Sequence, residues 1–192
     1  MNANGGASSF GGMFDSSKSD DTTTPILQIS SGNIYVNANG DGLDSNGDLI
    51  IDGGIVIIDG PTNSADGALD SGLENGGKIE CNGGTVLAIG ASGMAETFDN
   101  DSRQCSFIMN FNKTLQAGTQ IVVYDDNGNL LFEHTSAKTF NSIVFSSPLL
   151  AIGNTYSVTL ANQTETITIE NISNGSSSGF AMPPGFGGQK ER

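Results

Sequence analysis

Basic and aromatic residues are scarce in this chain of 192 residues, which has no Trp, a single His and only seven Lys and Arg. Its 21 Asp and Glu give a formal net charge of -14. Nucleic acids and anionic membrane surfaces are recognised through clustered Lys and Arg, so neither is an expected partner. A chain this acidic is better suited to binding cations, or to binding ligands through cations. The alternative is that the acids only keep the protein soluble.

Cysteine and long apolar segments are also limited. The two cysteines, Cys81 and Cys105, form either one disulfide or two buried free thiols. No apolar run reaches the roughly 18 residues that a membrane-spanning helix needs, so membrane insertion is not expected. The chain opens with Met1-Asn2-Ala3-Asn4 and shows no signal peptide there. We interpret it as a fragment of a longer secreted protein rather than as an intracellular product.

Glycine, in contrast, is abundant, with 27 Gly beside only five Pro. Together with many Asn, Asp, Ser and Thr, this composition is typical of a chain with many tight turns. No long segment carries good helix formers at a 3.6-residue spacing, so the chain is predicted to be all-β. Residues 1–24 and 174–192 are rich in Gly and Ser and poor in apolar residues. Both are predicted to be disordered, as an arm and a tail.

An internal repeat occupies residues 25–94. Three times, a short apolar strand leads into a pair of small residues and a second strand follows at once. The pairs Ser31-Gly32, Gly53-Gly54 and Gly83-Gly84 lie 22 and 30 residues apart. An interval of 22 residues suits one coil of a solenoid, and the longer interval would include a longer loop.

The segments that join the strand pairs repeat as well. Residues 41–47 align with residues 66–72 when one residue is inserted, and both contain Asp-Gly followed by Leu-Asp. Strands of this length would also suit an antiparallel sandwich, but a sandwich does not require the same turn beside the same strand pair. We therefore predict a parallel β-helix of about three coils with apolar side chains stacked inside.

After Met94 the pattern changes to six short strands, which predicts an antiparallel β-region over residues 95–173. Residues 125–129 (Asp-Asp-Asn-Gly-Asn) are a strong hairpin signal between two apolar runs. The predicted strands cover residues 104–112, 121–124, 130–133, 142–145, 156–160 and 165–169. Two interpretations remain open: a separate sandwich-like module, or a cap over the strand edges of the last coil.

The repeated acidic turn is the best candidate for a site. Asp41, Asp44 and Asn46 lie on one turn, and Asp66 and Asp70 lie on the next. Stacked strands lie about 4.8 Å apart, and carboxylates at that spacing repel unless they are protonated or share a cation. Ca²⁺ takes about six to eight oxygen ligands in irregular geometry, so we predict Ca²⁺ at these five residues. The alternative is that they are ordinary turn residues.

Signatures of catalysis are weak. Zinc needs more than the single His134 and two distant cysteines, and a lone His on a hairpin strand is most often a surface residue. Nothing marks a nucleophile for a triad through His134.

Lyases on such scaffolds generally need a basic residue, and Lys78 is the only one within residues 25–94. Two turn aspartates could serve a glycoside hydrolase, but about three coils offer no obvious cleft and Tyr35 is the only Tyr in the repeat. We predict that the protein is not an enzyme.

Several ordered motifs resemble a family of secreted clostridial carbohydrate-binding proteins. They are Gly40-Asp41-Gly42-Leu43-Asp44-Ser45-Asn46-Gly47, Leu49-Ile50-Ile51-Asp52-Gly53-Gly54, Gly60-Pro61, Ala68-Leu69-Asp70, Gly90-Ala91-Ser92-Gly93-Met94, Phe145-Ser146-Ser147-Pro148-Leu149 and Gly153-Asn154-Thr155-Tyr156. The resemblance covers roughly residues 25–170. It implies a right-handed parallel β-helix that binds plant cell-wall polysaccharide without catalysis, especially acidic sugars such as polygalacturonate, together with Ca²⁺.

On this chain, the resemblance assigns the calcium role to Asp41, Asp44, Asp66 and Asp70. Members of that family are longer, with a signal peptide and further coils before this region. The chain therefore corresponds to their C-terminal portion, and a binding face built on the further coils would be missing.

Taken together, these patterns predict a secreted or cell-surface, calcium-stabilised protein that binds polysaccharide. In it Ca²⁺ would bridge protein carboxylates to an acidic sugar, which removes the repulsion expected between two polyanions. The first alternative is a structural subunit that assembles end to end into a surface fibre through a free strand edge near Pro25. The second, less well supported, is a glycoside hydrolase that uses the turn aspartates.

Overall fold

The computed structural model describes residues 2–3, 24–161 and 163–175. The predicted disorder of residues 1–24 and 174–192 falls almost entirely outside these ranges and stays a prediction. The described residues form sixteen short strands, β1 to β16 in chain order: Asn2–Ala3, Ile26–Ile29, Asn33–Asn37, Leu43–Ser45, Asp48–Ile51, Ile55–Asp59, Leu69–Asp70, Ile79–Cys81, Thr85–Gly90, Ser106–Leu115, Gln120–Asp125, Leu130–Thr135, Phe140–Ser146, Thr155–Leu160, Gln163–Thr168 and Ser173–Asn174.

The prediction of an all-β chain is confirmed for this part of the molecule. Its only helix is a single 3-10 turn, Leu73–Asn75. None of the described residues belongs to a helix long and apolar enough to cross a membrane.

The strands of the repeat lie in three parallel stacks, β1-β4-β7, β2-β5-β8 and β3-β6-β9. The chain visits the three stacks in turn and then begins again. Gln28 pairs with Ile50, and Ile50 pairs with Glu80. The sequence intervals of 22 and 30 residues are therefore the register of the strands in the second and third stacks.

The repeated acidic segments contain strands where the sequence predicted turns. Within them, β4 and β7 pair so that Leu43 lies beside Leu69 and Asp44 beside Asp70. The alignment with one inserted residue is thereby confirmed. Both leucines are buried, whereas the aspartate that follows each of them is only partly covered. The buried leucines hold these short segments in extended conformation against the core.

Glycines at the corners let neighbouring backbones lie close together. Gly54 has a φ of +95°, and a Cβ built on it would lie 2.5 Å from the carbonyl oxygen of Gly32. Gly84 repeats this arrangement one level further on, where a Cβ would lie 2.5 Å from the carbonyl oxygen of Gly54. Any side chain at Gly54 would therefore meet both a disfavoured backbone conformation and a neighbouring main chain.

All six strands predicted after Met94 are confirmed as β10 to β15, with shifts of a few residues at their ends. β12, β11, β14 and β15 form an antiparallel four-stranded sheet in that order. β13 pairs antiparallel with β9, and β10 pairs antiparallel with β13. The third parallel stack therefore continues into one mixed six-stranded sheet, ordered β16-β10-β13-β9-β6-β3.

Two hydrophobic cores lie on opposite faces of that six-stranded sheet. Along β9, Val86 and Ala88 face the core inside the parallel stacks, while Leu87 and Ile89 face the four-stranded sheet. The first core is mostly aliphatic. The second contains the aromatic side chains Phe107, Phe140, Phe145 and Tyr156. A strand between two cores must be apolar on both faces, which explains the continuous run in β9.

The strands β7, β8 and β9 are the last of the repeat, and later parts of the chain cover their outer edges. β13 covers β9. The segment that follows β9 runs along β8, where the Asp99 and Gln104 amides donate to the carbonyl oxygens of Ile79 and Cys81 at 2.7 and 3.2 Å. The Glu96 carboxylate accepts from the amide of Ser71, which directly follows β7, at 3.2 Å. These bonds satisfy main-chain groups that would otherwise form an open edge.

Candidate functional site

The acidic segments predicted as a metal site do stack in the structure. Asp44 and Asp70 are paired residues on the adjacent parallel strands β4 and β7. Their side chains therefore leave the same face of the stack, about 5 Å apart at the level of the backbone. Two ionised carboxylates at this spacing repel each other, and a shared cation would relieve the repulsion.

Asp41 and Asp66 lie just before these strands and already accept hydrogen bonds. The backbone amide of Gly67 donates to Oδ1 of Asp41 at 2.8 Å. The side-chain amide of Asn63 donates to Oδ2 of Asp66 at 2.6 Å. Asp41 thus bonds to the main chain of the next level, whereas Asp66 bonds to a side chain of its own loop.

Asn46 is exposed and lies at the end of the same segment, after β4. Its main chain packs closely on Gly72, where a Cβ would lie 2.4 Å from the Asn46 carbonyl carbon. The five predicted residues are thus brought to corresponding positions on two successive levels. Within the described residues, however, no group of three or more His, Cys, Asp or Glu side chains could hold a metal ion. A calcium ion here would need additional oxygens from the main chain, water or a ligand, and its presence stays a prediction.

A second cluster, which the sequence did not indicate, surrounds Asp59. This carboxylate is fully buried at the end of β6. His134 Nε2 lies 3.0 and 3.1 Å from its two oxygens. The Tyr35 hydroxyl donates to Oδ2 at 2.7 Å, and the Ala137 amide donates a further bond. The cluster joins β3, β6 and β12, and so connects the parallel stacks to the four-stranded sheet.

Opposing effects act on the ionisation of this cluster. Burial by itself would raise the pKa of Asp59, but hydrogen bonds from His134 and Tyr35 outweigh it and hold the pKa below its usual value. The carboxylate is therefore ionised near neutral pH and can only accept, so Nε2 of His134 carries the proton. The bond to this carboxylate raises the pKa of the Tyr35 hydroxyl.

Strand alternation explains why these side chains meet. Ile55, Ile57 and Asp59 lie on the same face of β6, because side chains two apart in a strand point the same way. In the same way, Phe132 and His134 share the inward face of β12. The His134 side chain is 14% exposed, so the expectation of a surface histidine is wrong. The sequence signal for an inward-facing His134 was its position two residues after the apolar Phe132 in a strand.

A lysine from the loop after β12 lies next to this cluster. Lys138 Nζ donates to the side-chain oxygen of Asn39 at 2.6 Å and to the carbonyl oxygen of Ala38. Within the described residues, Lys138 has no carboxylate within 4 Å, unlike Lys78, which lies 3.7 Å from both Glu80 and Asp101. Among the residues that the structure describes, Lys138 is therefore a positive charge without an ion-pair partner within 4 Å.

The two cysteines are free thiols and both are buried. Cys81 belongs to the core inside the parallel stacks, and Cys105 belongs to the core beside the four-stranded sheet. Of the two alternatives considered, the structure therefore has the free thiols. Burial raises the pKa of each thiol, which leaves both unreactive near neutral pH.

The architecture defines this chain as an all-β protein with parallel stacks and an antiparallel region built on one shared sheet. Comparison with protein-family models, curated proteins and solved structures gave no match. The resemblance to secreted clostridial carbohydrate-binding proteins therefore stays a prediction.

Proposed function

We propose that this protein is a non-catalytic extracellular module that binds acidic polysaccharide and is stabilised by Ca²⁺. In this proposal the three parallel stacks are about three coils of a right-handed parallel β-helix, with the antiparallel region at one end. The observation that carries it is the pairing of Asp44 with Asp70 on adjacent parallel strands. The resemblance of residues 25–170 to carbohydrate-binding proteins supplies the ligand class.

Calcium suits this arrangement because it accepts carboxylate, carbonyl and water oxygens together. Two stacked carboxylates would occupy only part of its coordination shell. The remaining positions could be filled by a carboxylate of the ligand, so that one ion bridges two groups of equal charge. A polyanionic chain with a net charge of -14 could in this way bind a polymer of uronic acids.

The direct test is retention of the protein on immobilised polygalacturonate, with calcium and with a chelator. Retention is expected in calcium and loss in chelator, while a neutral polysaccharide should retain little protein in either buffer. The double variant Asp44→Asn/Asp70→Asn should lose retention, whereas Asp126→Asn in the exposed hairpin should not. Failure of the wild-type protein to bind in either buffer would contradict the proposal.

Calcium should also stabilise the fold. A ligand at 100 times its dissociation constant adds about 2.7 kcal/mol to the free energy of unfolding. Adding chelator should therefore lower the melting temperature of the wild-type protein by several degrees. The double variant should melt at the same temperature with and without chelator. An unchanged wild-type melting temperature would argue against a structural calcium ion.

The fibre-subunit alternative has one supporting observation. β2 and β3 are the outermost strands of their sheets in the described part of the chain. The opposite ends of the stacks are covered by β13 and by residues 96–104, which disfavours head-to-tail stacking. Sedimentation over a range of concentrations would test this alternative, and a monomer at all of them would count against it.

A further inference from the structure

The Tyr35 ring is unusual in being both exposed and fixed. Its residue is 55% exposed, yet its hydroxyl donates to the buried carboxylate of Asp59 at 2.7 Å. The ring also packs against His134, with centroids 6.4 Å apart at an interplanar angle of 57°. An exposed aromatic side chain normally samples several rotamers. Here the anchored hydroxyl removes that freedom, so little entropy remains to be lost when a ligand stacks on the ring.

Apart from Asp59, the described strand residues that share this face with the ring are apolar or carry amides. Asn33 and Asn37 share the face of β3 with Tyr35, because they lie two residues before and after it. Ile57 pairs with Tyr35 from β6 on the same face. The one carboxylate on β3 and β6 is that of Asp59, which is buried and accepts hydrogen bonds. A flat aromatic ring flanked by amides matches a pyranose, whose C–H face stacks and whose hydroxyls donate and accept.

Lys138, in the loop after β12, places a positive charge against the residues that follow β3. Its ammonium has three donors, and two of them reach Ala38 and Asn39. Ala38 follows Tyr35 by three residues, or roughly 10 Å of extended chain. That distance corresponds to about two sugar units. A polymer lying along β3 with one ring on Tyr35 would bring a later unit to Lys138.

We propose that β3 carries a binding surface for uronic acid chains, in which Tyr35 stacks on one sugar ring and Lys138 binds the carboxylate of another. The surface is defined by Asn33, Tyr35, Asn37, Ile57 and Lys138. Charge complementarity selects an acidic sugar over a neutral one, because Lys138 has no carboxylate partner among the described residues. Asp59 and His134 are positioning residues, since they hold the ring and contact no sugar.

This inference rests on the proposed function and adds a location to it. The acidic turn begins at Gly40, immediately after Asn39, and a Cβ on Gly40 would lie 3.8 Å from Oδ2 of Asp66. The binding surface and the acidic turn are thus consecutive along the chain. A polymer bound along this surface would continue past Lys138 towards the carboxylates of the acidic turn, to which calcium was assigned.

Titration calorimetry with a short oligogalacturonide in saturating calcium tests the surface. Tyr35→Ala should weaken binding about tenfold, since a stacking contact is removed. Tyr35→Phe keeps the ring and should weaken binding by less than about threefold. Tyr124→Ala, an aromatic change on the four-stranded sheet, is the matched control and should bind as the wild type does.

The charge is tested with Lys138→Gln, which should weaken oligogalacturonide binding about tenfold, since a charge-assisted hydrogen bond is lost. Binding of a neutral oligosaccharide of equal length should be weak and unaffected by this change. Lys113→Gln, on the exposed face of β10, is the matched control. Circular dichroism and melting temperatures would establish that every variant is folded.

The outcomes separate the two proposals. Calcium-dependent binding by the wild type that persists unchanged in both Tyr35→Ala and Lys138→Gln would overturn this inference and leave the proposed function standing. Absence of wild-type binding would overturn both. Tyr35-dependent binding of neutral sugars alone, or an effect of Tyr35→Ala on self-association and not on sugar binding, would overturn the assignment to uronic acids.

Discussion

The two halves of this molecule reach their register in different ways. In two of the three parallel stacks, residues 22 or 30 positions apart are paired, and glycines at the corners hold neighbouring turns of chain in contact. In the antiparallel region, β11 with β12 and β14 with β15 are hairpins between strands that follow each other directly. The repeat therefore depends on a recurring spacing, and the antiparallel region on local turns. Regular strand pairing is thus set by periodicity in one half and by turn chemistry in the other.

The shared sheet predicts that the two halves unfold together. Phe145 is fully buried on β13, with ring centroids 5.5 Å from Phe107 and 5.6 Å from Phe132. Phe145→Ala should lower the free energy of unfolding by about 3–5 kcal/mol. Ile51→Val, in the core of the repeat, should cost about 0.5–1.5 kcal/mol. Urea unfolding should give one transition for each variant, and a separate early transition in Phe145→Ala would mean that the halves are independent.

The contact between the halves is tested by His134→Ala, which leaves the buried Asp59 carboxylate without its main partner. At neutral pH we expect a loss of about 3 kcal/mol, as for other broken buried pairs. The penalty should shrink in acid, because the orphaned carboxylate then takes up a proton. An equal penalty at pH 4 and pH 7, measured by urea unfolding, would contradict the assignment of charge to Asp59.

The sign of the wild-type pH dependence follows from the same carboxylate. Its pKa is lower in the folded protein than in the unfolded chain. Its contribution to stability is therefore complete above the unfolded pKa of about 4 and is lost as the pH falls through the folded value. Asp59→Asn should show a shallower loss of melting temperature in acid than the wild type. If the melting temperatures of the two proteins fell equally with pH, groups other than Asp59 would control the loss of stability in acid.

A smaller difference in stability is expected between glycine substitutions in the two kinds of turn. Gly54 has a positive φ, and a Cβ added there would lie 2.5 Å from a main-chain oxygen, whereas Gly128 has a φ of +79° and nothing within 4 Å. Gly128→Ala should cost about 1 kcal/mol, the ordinary penalty for this backbone region. Gly54→Ala should cost about 2 kcal/mol or more, because a neighbouring backbone must also move. Equal costs in thermal unfolding would contradict the packing of the corners.

Much of the fold could be predicted because its signals are local or periodic. The three small-residue pairs defined the stacking register, and Asp125 to Asn129 defined the hairpin between β11 and β12. The short strands β4 and β7 were missed because two or three extended residues between turn residues give no pattern of their own. Their place in the stack comes from Leu43 and Leu69, whose burial depends on neighbouring levels.

The candidate site was less predictable, because part of it joins residues that are far apart in the sequence. The recurring aspartates were visible, because they repeat with the strands. The meeting of Asp59 with His134 was not, since 75 residues separate them and neither belongs to a repeated motif. Only the packing of the four-stranded sheet on β6 brings them together. Tyr35 was noted for its rarity, but its anchored hydroxyl depends on that same long-range contact.

The pairing of β13 with β9 also bears on the order in which the chain folds. Hairpins close short loops and form quickly, whereas each parallel strand pair must close a loop of more than twenty residues before its contacts form. We expect the antiparallel region to form first, with β9 on its edge, and β6 and β3 to be added afterwards. Amide hydrogen exchange should accordingly quicken from β9 to β6 to β3. The parallel stacks would then leave the ribosome before the antiparallel region and be completed after it.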